Sequence, residues 1–442
     1  LEFGTLLPLT AQISRENHLE LGGCDAVELA RRFGTPLYVY DEDTIRARCR
    51  EYRAAIEAVY LDALVLYASK AHSAPMMLQI LQQEGLGLDV VSGGELFTAL
   101  SVGFPVDRIY FHGNNKSPDE LAMALDNQVG RVVVDSFHEL ELLDGLARER
   151  GQRQPILLRL SPGVEAHTHD FRKTGILDSK FGFPISTGQA EQAVERATRA
   201  QALDLLGYHC HIGSQIFELE PYVEATEIAF AFASRMREKF GVDVREYSPG
   251  GGWGVAYTDD DDPWPIGEIV GQVGHALQQA SARHGLGSPR MVIEPGRSIV
   301  AQAGVALYTV GAIKQIPNVR TYVSVDGGMA DNIRPAIYGA RYEALVANKA
   351  DSPRTETVTI AGKYCESGDL LIKDVSLPPL ESGDVLAVPA SGAYNLAMAS
   401  NYNQALKPAV VLVKDGQVRL MRRRQTFEEL LLGEERFGSQ TA

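Results

Sequence analysis

The chain has 442 residues and a mass of 48.2 kDa, is 45% hydrophobic, and carries a net charge of −15 from 42 Lys+Arg against 57 Asp+Glu. Domains average roughly 150 residues but α/β barrels take about 250, so two domains are expected rather than three. The acidic balance argues against a general nucleic-acid binder, four scattered cysteines (Cys24, Cys49, Cys210, Cys365) exclude a disulfide scaffold, and no apolar run reaches the ~18 residues of a membrane span.

The N-terminus has no basic stretch leading into an apolar core, so a soluble cytoplasmic chain is expected. Leu1 to Thr5 are compatible with a cloning remnant. Pro36 to Tyr40 (PLYVY) is strand-like. Eight short apolar runs follow: Ala63 to Ala68, Leu88 to Val91, Ile109 to His112, Val132 to Asp135, Ile156 to Leu160, Leu205 to Cys210, Val244 to Ser248 and Met291 to Glu294. Helical stretches separate them, such as Pro75 to Glu84, Gly94 to Val102, Asp119 to Asp126, Phe137 to Glu149 and Tyr222 to Phe240. Alternating strands and helices predict βαβ units and a parallel sheet, and eight in succession fit a (β/α)₈ TIM barrel. A doubly wound sheet is the alternative, because periodicity alone cannot close a barrel.

After Arg297 the texture becomes mostly β: Ile299 to Ile316, Thr321 to Val325, Thr355 to Ile360, Val385 to Pro389 and Ala409 to Val413, with a hairpin turn at Lys414-Asp415-Gly416-Gln417. Pro36 to Tyr40 is expected to pair into this region. The expected domains are therefore a barrel over 45–297 and a discontinuous β domain over 1–44 plus 298–442. Arg422, Arg423 and Arg424, followed by Glu428, Glu429, Glu434 and Glu435, read as a solvated charged face.

Barrel chemistry gathers at the C-terminal ends of the strands. Here the runs end in Ser69-Lys70, Ser92 and Glu95, His112-Gly113-Asn114, Asp135-Ser136, Arg159 and Ser161, His209 to Ser214, Gly250-Gly251-Gly252, and Glu294-Pro295-Gly296-Arg297. A ligand site at that mouth is the reading preferred over loop composition. Lys70 at a strand end, partly desolvated, would be an amine nucleophile; alone it would be a surface lysine. Three glycines let backbone N–H groups converge on an anion, and Ser214 offers a hydroxyl to it; a flexible turn is the other reading. Glu294 and Arg297 emerge in set directions from a tight EPGR turn. His209 and His211 alternate along a strand, and His167 and His169 form a second such pair. A metal would need third and fourth ligands at matched spacing, which neither pair shows, so no metal is expected. His211 instead offers a flat ring for stacking.

A phosphate site, a reactive lysine, a carboxylate and a stacking histidine suit pyridoxal 5′-phosphate (PLP). The sequence resembles the PLP-dependent decarboxylases of the alanine racemase-like barrel fold, most closely the diaminopimelate decarboxylases. The resemblance is carried in order by YASKA (67–71), LDVVSGGEL (88–96), HGNNKS (112–117), GVEAHTH (163–169), KFGF (180–183), HCHIGSQ (209–215), GGGWG (250–254), EPGRS (294–298), DGGMADNIRPAIYGA (326–340), CESGD (365–369) and GAYNLAMASNYN (392–403). One departure is Ala330, where many relatives carry Asn. The resemblance implies decarboxylation of meso-2,6-diaminopimelate to L-lysine, the last step of bacterial lysine synthesis. It implies that Lys70 holds PLP covalently, that Gly250, Gly251, Gly252, Ser214, Gly296 and Tyr394 contact its phosphate, that His211 stacks on the ring, and that Glu294 pairs with the ring nitrogen. Arg297, Arg334, Tyr338, Tyr394 and Glu366 would contact the substrate, with Arg297 also beside the cofactor. It further implies a homodimer in which Cys365 and Glu366 act across the subunit boundary. A free thiol, with a pKa of about 8.5, can serve Cys365 as a proton donor. The rivals are alanine racemase, an ornithine, arginine or carboxynorspermidine decarboxylase, a silent regulator of the same fold, and a metal-dependent barrel hydrolase.

Overall fold

The computed structural model describes residues 4–164 and 179–437. It forms two compact units, one of Ile45–Val255 with Asp261–Ile299, the other of Leu1–Thr44, Ala256–Asp260 and Val300–Ala442.

The first unit is a barrel of eight parallel strands: β1 (Ala63–Ala68), β2 (Gly87–Val90), β3 (Ile109–Phe111), β4 (Arg131–Val134), β5 (Gln154–Ser161), β6 (Leu203–Cys210), β7 (Glu246–Gly250) and β8 (Arg290–Ile293). Each pairs with the next, and β8 returns to β1 with Val292 opposite Leu64, so the sheet closes and the doubly wound alternative is excluded. Each predicted run is a strand, with its ends moved by a residue or two. Helices Gly93–Ser101, Pro118–Asp126 and Phe137–Glu149 share one local cause. Each opens on Ser-x-x-Glu: Ser92, Ser117 and Ser136 accept from the backbone N–H of Glu95, Glu120 and Glu139. The Glu side chains reach back to the N–H groups of Val91, Ser117 and Asp135 at 2.8, 2.9 and 3.0 Å. These reciprocal bonds satisfy donors that a helix start leaves open, and fix the helix to the strand before it. Inside the barrel, Leu66, Tyr110, Val133, Leu157, Leu206 and Val292 form one apolar cluster, a filled core rather than a pore.

In the second unit, strand Leu37–Asp41 lies between Gly304–Ile316 (antiparallel) and Ala409–Lys414 (parallel). The hairpin turn falls where predicted: Lys414 pairs with Gln417, and Asp415 and Gly416 hold φ of 50° and 74°, as a type I′ turn requires. Leu19, Leu21, Leu37, Val39, Val305, Leu307, Val411 and Val413 belong to its buried core. Three expectations change. The long strand starts at Gly304 rather than Ile299, because Arg297–Val300 form a helical turn. Strand Leu370–Leu377 was not anticipated; its register shifts against Glu356–Ala361 where Asp374 turns to φ 54°, which breaks the period-two pattern. The basic run is not a uniform solvated face. Arg423 is exposed and pairs with Glu429, but Arg422 is half-buried on the carbonyl of Pro408, and Arg424 donates to the carbonyl of Pro36 at 2.7 Å.

Candidate active site

The apolar cluster of the barrel carries a polar tier above it. Successive residues of a strand point to opposite faces, so every second residue shares a side. Continuing that alternation from the cluster, Leu66 leads through Ala68 to Lys70, Tyr110 to His112, Val133 to Asp135, Leu157 to Arg159 and Val292 to Glu294. Asp89, His112, Asp135, Arg159, His209, Ser248 and Glu294 are all buried at the C-terminal ends of the strands. Lys70 is exposed, not partly desolvated as expected, because the single helical turn Ser69–Ala71 carries it past the strand end. Its charge still acts on Asp89, Glu95 and His211.

Glu294 is the hub. His209 Nε2 lies 2.9 Å from its Oε2, the Ser248 hydroxyl donates to Oε1 at 2.8 Å, and His112 Nε2 stands 3.5 Å from Oε1. Burial alone would raise this carboxyl; the attraction of His209 and His112 and the His209 hydrogen bond hold it well below the usual carboxylate range. The donor atoms of His112, His209 and Glu294 lie within 4.8 Å of one another, so the third ligand that spacing did not reveal beside His209 exists in space. Both Glu294 oxygens already accept hydrogen bonds, and the group reads as a hold on a carboxylate. The second pair, His167 and His169, lies outside the described residues.

The glycine loop stands beside this hub. Gly250 and Gly252 have φ of 81° and 95°, where a side chain is strained. A Cβ on Gly251 would fall 2.0 Å from the carbonyl oxygen of Glu294, and one on Gly252 would fall 2.0 Å from that of Gly213. The Tyr222 hydroxyl donates to the Gly251 carbonyl at 3.0 Å and fixes the loop from behind. His211 Nδ1 faces the Gly251 N–H at 3.5 Å, and burial with the nearby Lys70 and Arg159 charges pushes its pKa well below the usual histidine value. Arg297 donates to Ser214 Oγ at 2.9 Å, and a Cβ on Gly296 would sit 2.9 Å from that of Ala68. Lys70, His211, Ser214, Gly250, Gly251, Gly252, Glu294, Gly296 and Arg297 thus all belong to the barrel unit.

Arg334, Tyr338, Cys365, Glu366 and Tyr394 belong to the other unit. Arg334 is 2% exposed; its guanidinium lies 4.5 Å from the Tyr257 ring and 5.5 Å from that of Tyr342, and it donates to the Tyr342 hydroxyl. Asn395 Oδ1 accepts from that hydroxyl at 3.1 Å. Tyr338 ends the short helix Arg334–Tyr338 that Gly339 caps. Tyr394 is half-buried at φ 64°, a conformation a tyrosine holds only under constraint. Cys365 and Glu366 are exposed on a loop anchored by Asp369, which accepts from the N–H groups of Met329 and Tyr364 at 2.7 and 2.9 Å. Sequence reasoning gave no role to Asp89 or Ser248, and left His112, Asp135 and Arg159 as strand-end residues. The signal for most of them is a polar residue two positions after an interior apolar one.

Residues 42–301 match the family model "Pyridoxal-dependent decarboxylase, pyridoxal binding domain". The diaminopimelate decarboxylase of Bacillus subtilis is 50% identical over 422 residues, covering 96% of each chain. The chain belongs to the diaminopimelate decarboxylase family of pyridoxal-dependent decarboxylases. A diaminopimelate decarboxylase of Staphylococcus aureus is 44% identical over 96% of this chain and 100% of that one. The crystal structure of the M. jannaschii enzyme in complex with L-lysine matches with a TM-score of 0.89 at 34% identity, over 96% of this chain and 98% of that one. This family's cofactor is PLP.

The residues fit it. The backbone approach at Gly251 and Gly252 leaves no room for a Cβ, which is what close contact with a phosphate needs, and Glu294 is the ionised partner a ring nitrogen needs. Gly252→Ala should weaken PLP binding about tenfold or more, since the added methyl must displace the Gly213 carbonyl and strain the backbone by about 1–3 kcal/mol. A fluorescence titration of the apoprotein with PLP checks this; unchanged affinity would remove the loop from phosphate binding.

Proposed function

We infer that this chain decarboxylates meso-2,6-diaminopimelate to L-lysine and CO₂, the final step of lysine synthesis. The observation that carries the reading is the 50% identity over 96% of both chains with a diaminopimelate decarboxylase, joined to a barrel mouth that suits PLP. When bound, PLP supplies the electron sink for the bonding pair of the departing CO₂. The Lys70 amine holds the cofactor and moves protons at its Nζ. Amides of Gly250, Gly251, Gly252 and Gly296, with Ser214 and Tyr394, take the phosphate, and Arg297 orients Ser214 through their hydrogen bond. His211 supports the ring face. Glu294 keeps the ring nitrogen protonated. After CO₂ leaves, the Cys365 thiol delivers a proton to Cα.

Selectivity is assigned to the far end of the substrate. Diaminopimelate offers an ammonium and a carboxylate there, whereas ornithine offers an ammonium alone. Arg334, with Arg297 and Tyr338, suits the carboxylate, and Glu366 suits the ammonium. A guanidinium as dry as that of Arg334 meets a carboxylate where electrostatic attraction is strongest. Arg334→Ala should raise KM for diaminopimelate about 100-fold with a smaller change in kcat, and Arg334→Lys should not restore it, because the paired donors are lost. An unchanged KM in steady-state assays would remove Arg334 from recognition.

Cys365 and Glu366 are proposed to act across a homodimer. No helix among the described residues is long and apolar enough to cross a membrane. A cytoplasmic location suits four cysteines that are all free thiols. Product analysis tests the whole reading. Purified protein with PLP should release L-lysine from meso-diaminopimelate and leave L-ornithine and L-lysine untouched. Turnover of ornithine instead would overturn the far-end assignment.

A further inference from the structure

The residues around Glu294 do more than fill space. His209 is 1% exposed, and its Nδ1 has no hydrogen-bond partner, so its single polar contact among the described residues is the one to Glu294 through Nε2. An ionised carboxylate can only accept, so the bond to Glu294 places a proton on His209 Nε2. His112 packs edge-on against His209, with ring centroids 4.8 Å apart and planes at 71°. Its Nε2 stands between two carboxylates, 3.5 Å from Glu294 and 3.8 Å from Asp89, and hydrogen-bonds to neither. Two buried carboxylates on one histidine cannot both ionise readily. The surroundings separate them. Glu294 receives the His209 and Ser248 donors, whereas Asp89 Oδ1 receives none.

We propose that His209 and His112, with Asp89 opposite, are positioning residues that make Glu294 the permanently ionised member of this pair and so keep the cofactor's ring nitrogen protonated. The inference rests on the assignment of Glu294 to that nitrogen. Burial and the Glu294 charge, outweighing the pull of Lys70, push Asp89 up to about 8, so it keeps its proton at neutral pH. Burial drives His112 well below its usual value, against the pull of the Glu294 charge. The other charged or titratable groups that face this cluster are Lys70 after β1, Glu95 after β2, Lys116 after β3, Arg159 on β5, and Cys210 and His211 on and after β6.

The test is NMR of the holoenzyme loaded with PLP labelled with ¹⁵N in the ring, titrated between about pH 6 and pH 9. Wild type should show a protonated nitrogen throughout. His209→Ala should lose that proton within the range, with kcat down about tenfold or more and KM for diaminopimelate within about twofold. His209→Gln, which restores an N–H donor, should return both the signal and most of kcat. His112→Asn, which removes the ring between the carboxylates, should narrow the protonated range. If His209→Ala and His112→Asn both keep the wild-type signal, the inference is wrong even if turnover falls. Should His209→Ala not fold, His209→Gln and His112→Asn decide the matter by the same signal. Glu294→Gln separates the two layers. A signal that moves there but not in the histidine variants sinks the positioning role alone, and a signal that moves in none of them sinks the assignment of Glu294.

Discussion

Lys70→Ala should abolish the absorbance band of covalently held cofactor and lower turnover of diaminopimelate by about 10⁴-fold or more, equivalent to ~5.5 kcal/mol of barrel-mouth chemistry. The reasoning starts from β1, whose alternation carries Leu66 and Ala68 into Lys70 at the mouth. Among the described residues, no other lysine lies within two residues of the end of β1 through β8. Lys70→Arg should fail as well: it keeps a positive charge near Asp89 and Glu95 but has no nucleophilic amine. Absorbance after dialysis against PLP and a lysine-release assay provide the readout. Normal turnover by either variant would end the covalent role of Lys70.

Lys116→Met should be the most damaging change outside the chemistry, with a stability loss of about 3–5 kcal/mol. Lys116 and Glu139 are 1% and 3% exposed in their side chains and lie 2.7 Å apart. The Lys116 ammonium also donates to the carbonyls of Gly113 and Val133, each at 2.8 Å, so all three of its protons are engaged. Removing it leaves the buried Glu139 carboxylate with its Asp135 N–H bond but without its cation, and takes a donor from two carbonyls. Burial already raises the Glu139 pKa, and Lys116 is the first of the groups that oppose this. In the variant that carboxyl rises further. A raised acid binds its proton more tightly folded than unfolded, so the deficit should shrink as pH falls through that value. Urea unfolding of both proteins at about pH 8 and pH 5.5 tests the sign. Lys116→Met with Glu139→Leu should recover much of the loss, since a well-packed apolar pair is often no less stable than a buried ion pair.

Much of this was legible because it is local. The run Ala63 to Ala68 is β1 without adjustment, and Asp415-Gly416 specifies its turn through two positive φ values. Lys70, Glu294 and the three glycines stood out because each follows a strand. The rest depends on distance in sequence. His112, His209 and Glu294 lie on or just after β3, β6 and β8, none adjacent to another, so only closure of the barrel brings them together. Lys116 reads as a polar residue between Asn115 and Ser117; its burial follows from the meeting of the β3 loop with Glu139 on a later helix. Arg424 lost its apparent solvation to a carbonyl 388 positions earlier. Leu370–Leu377 was hidden by the bulge at Asp374 that turns its alternation out of phase.

The apolar cluster beneath the polar tier also acts as insulation. Leu66, Tyr110, Val133, Leu157 and Val292 keep water from the underside of Glu294, His112 and Arg159, so the fields of those groups spread toward the mouth with little screening. The strength of the site is therefore set partly by residues that never approach the substrate. Leu157→Asn, by admitting water from below, should weaken the electrostatic grip of the whole tier while leaving each of its side chains in place.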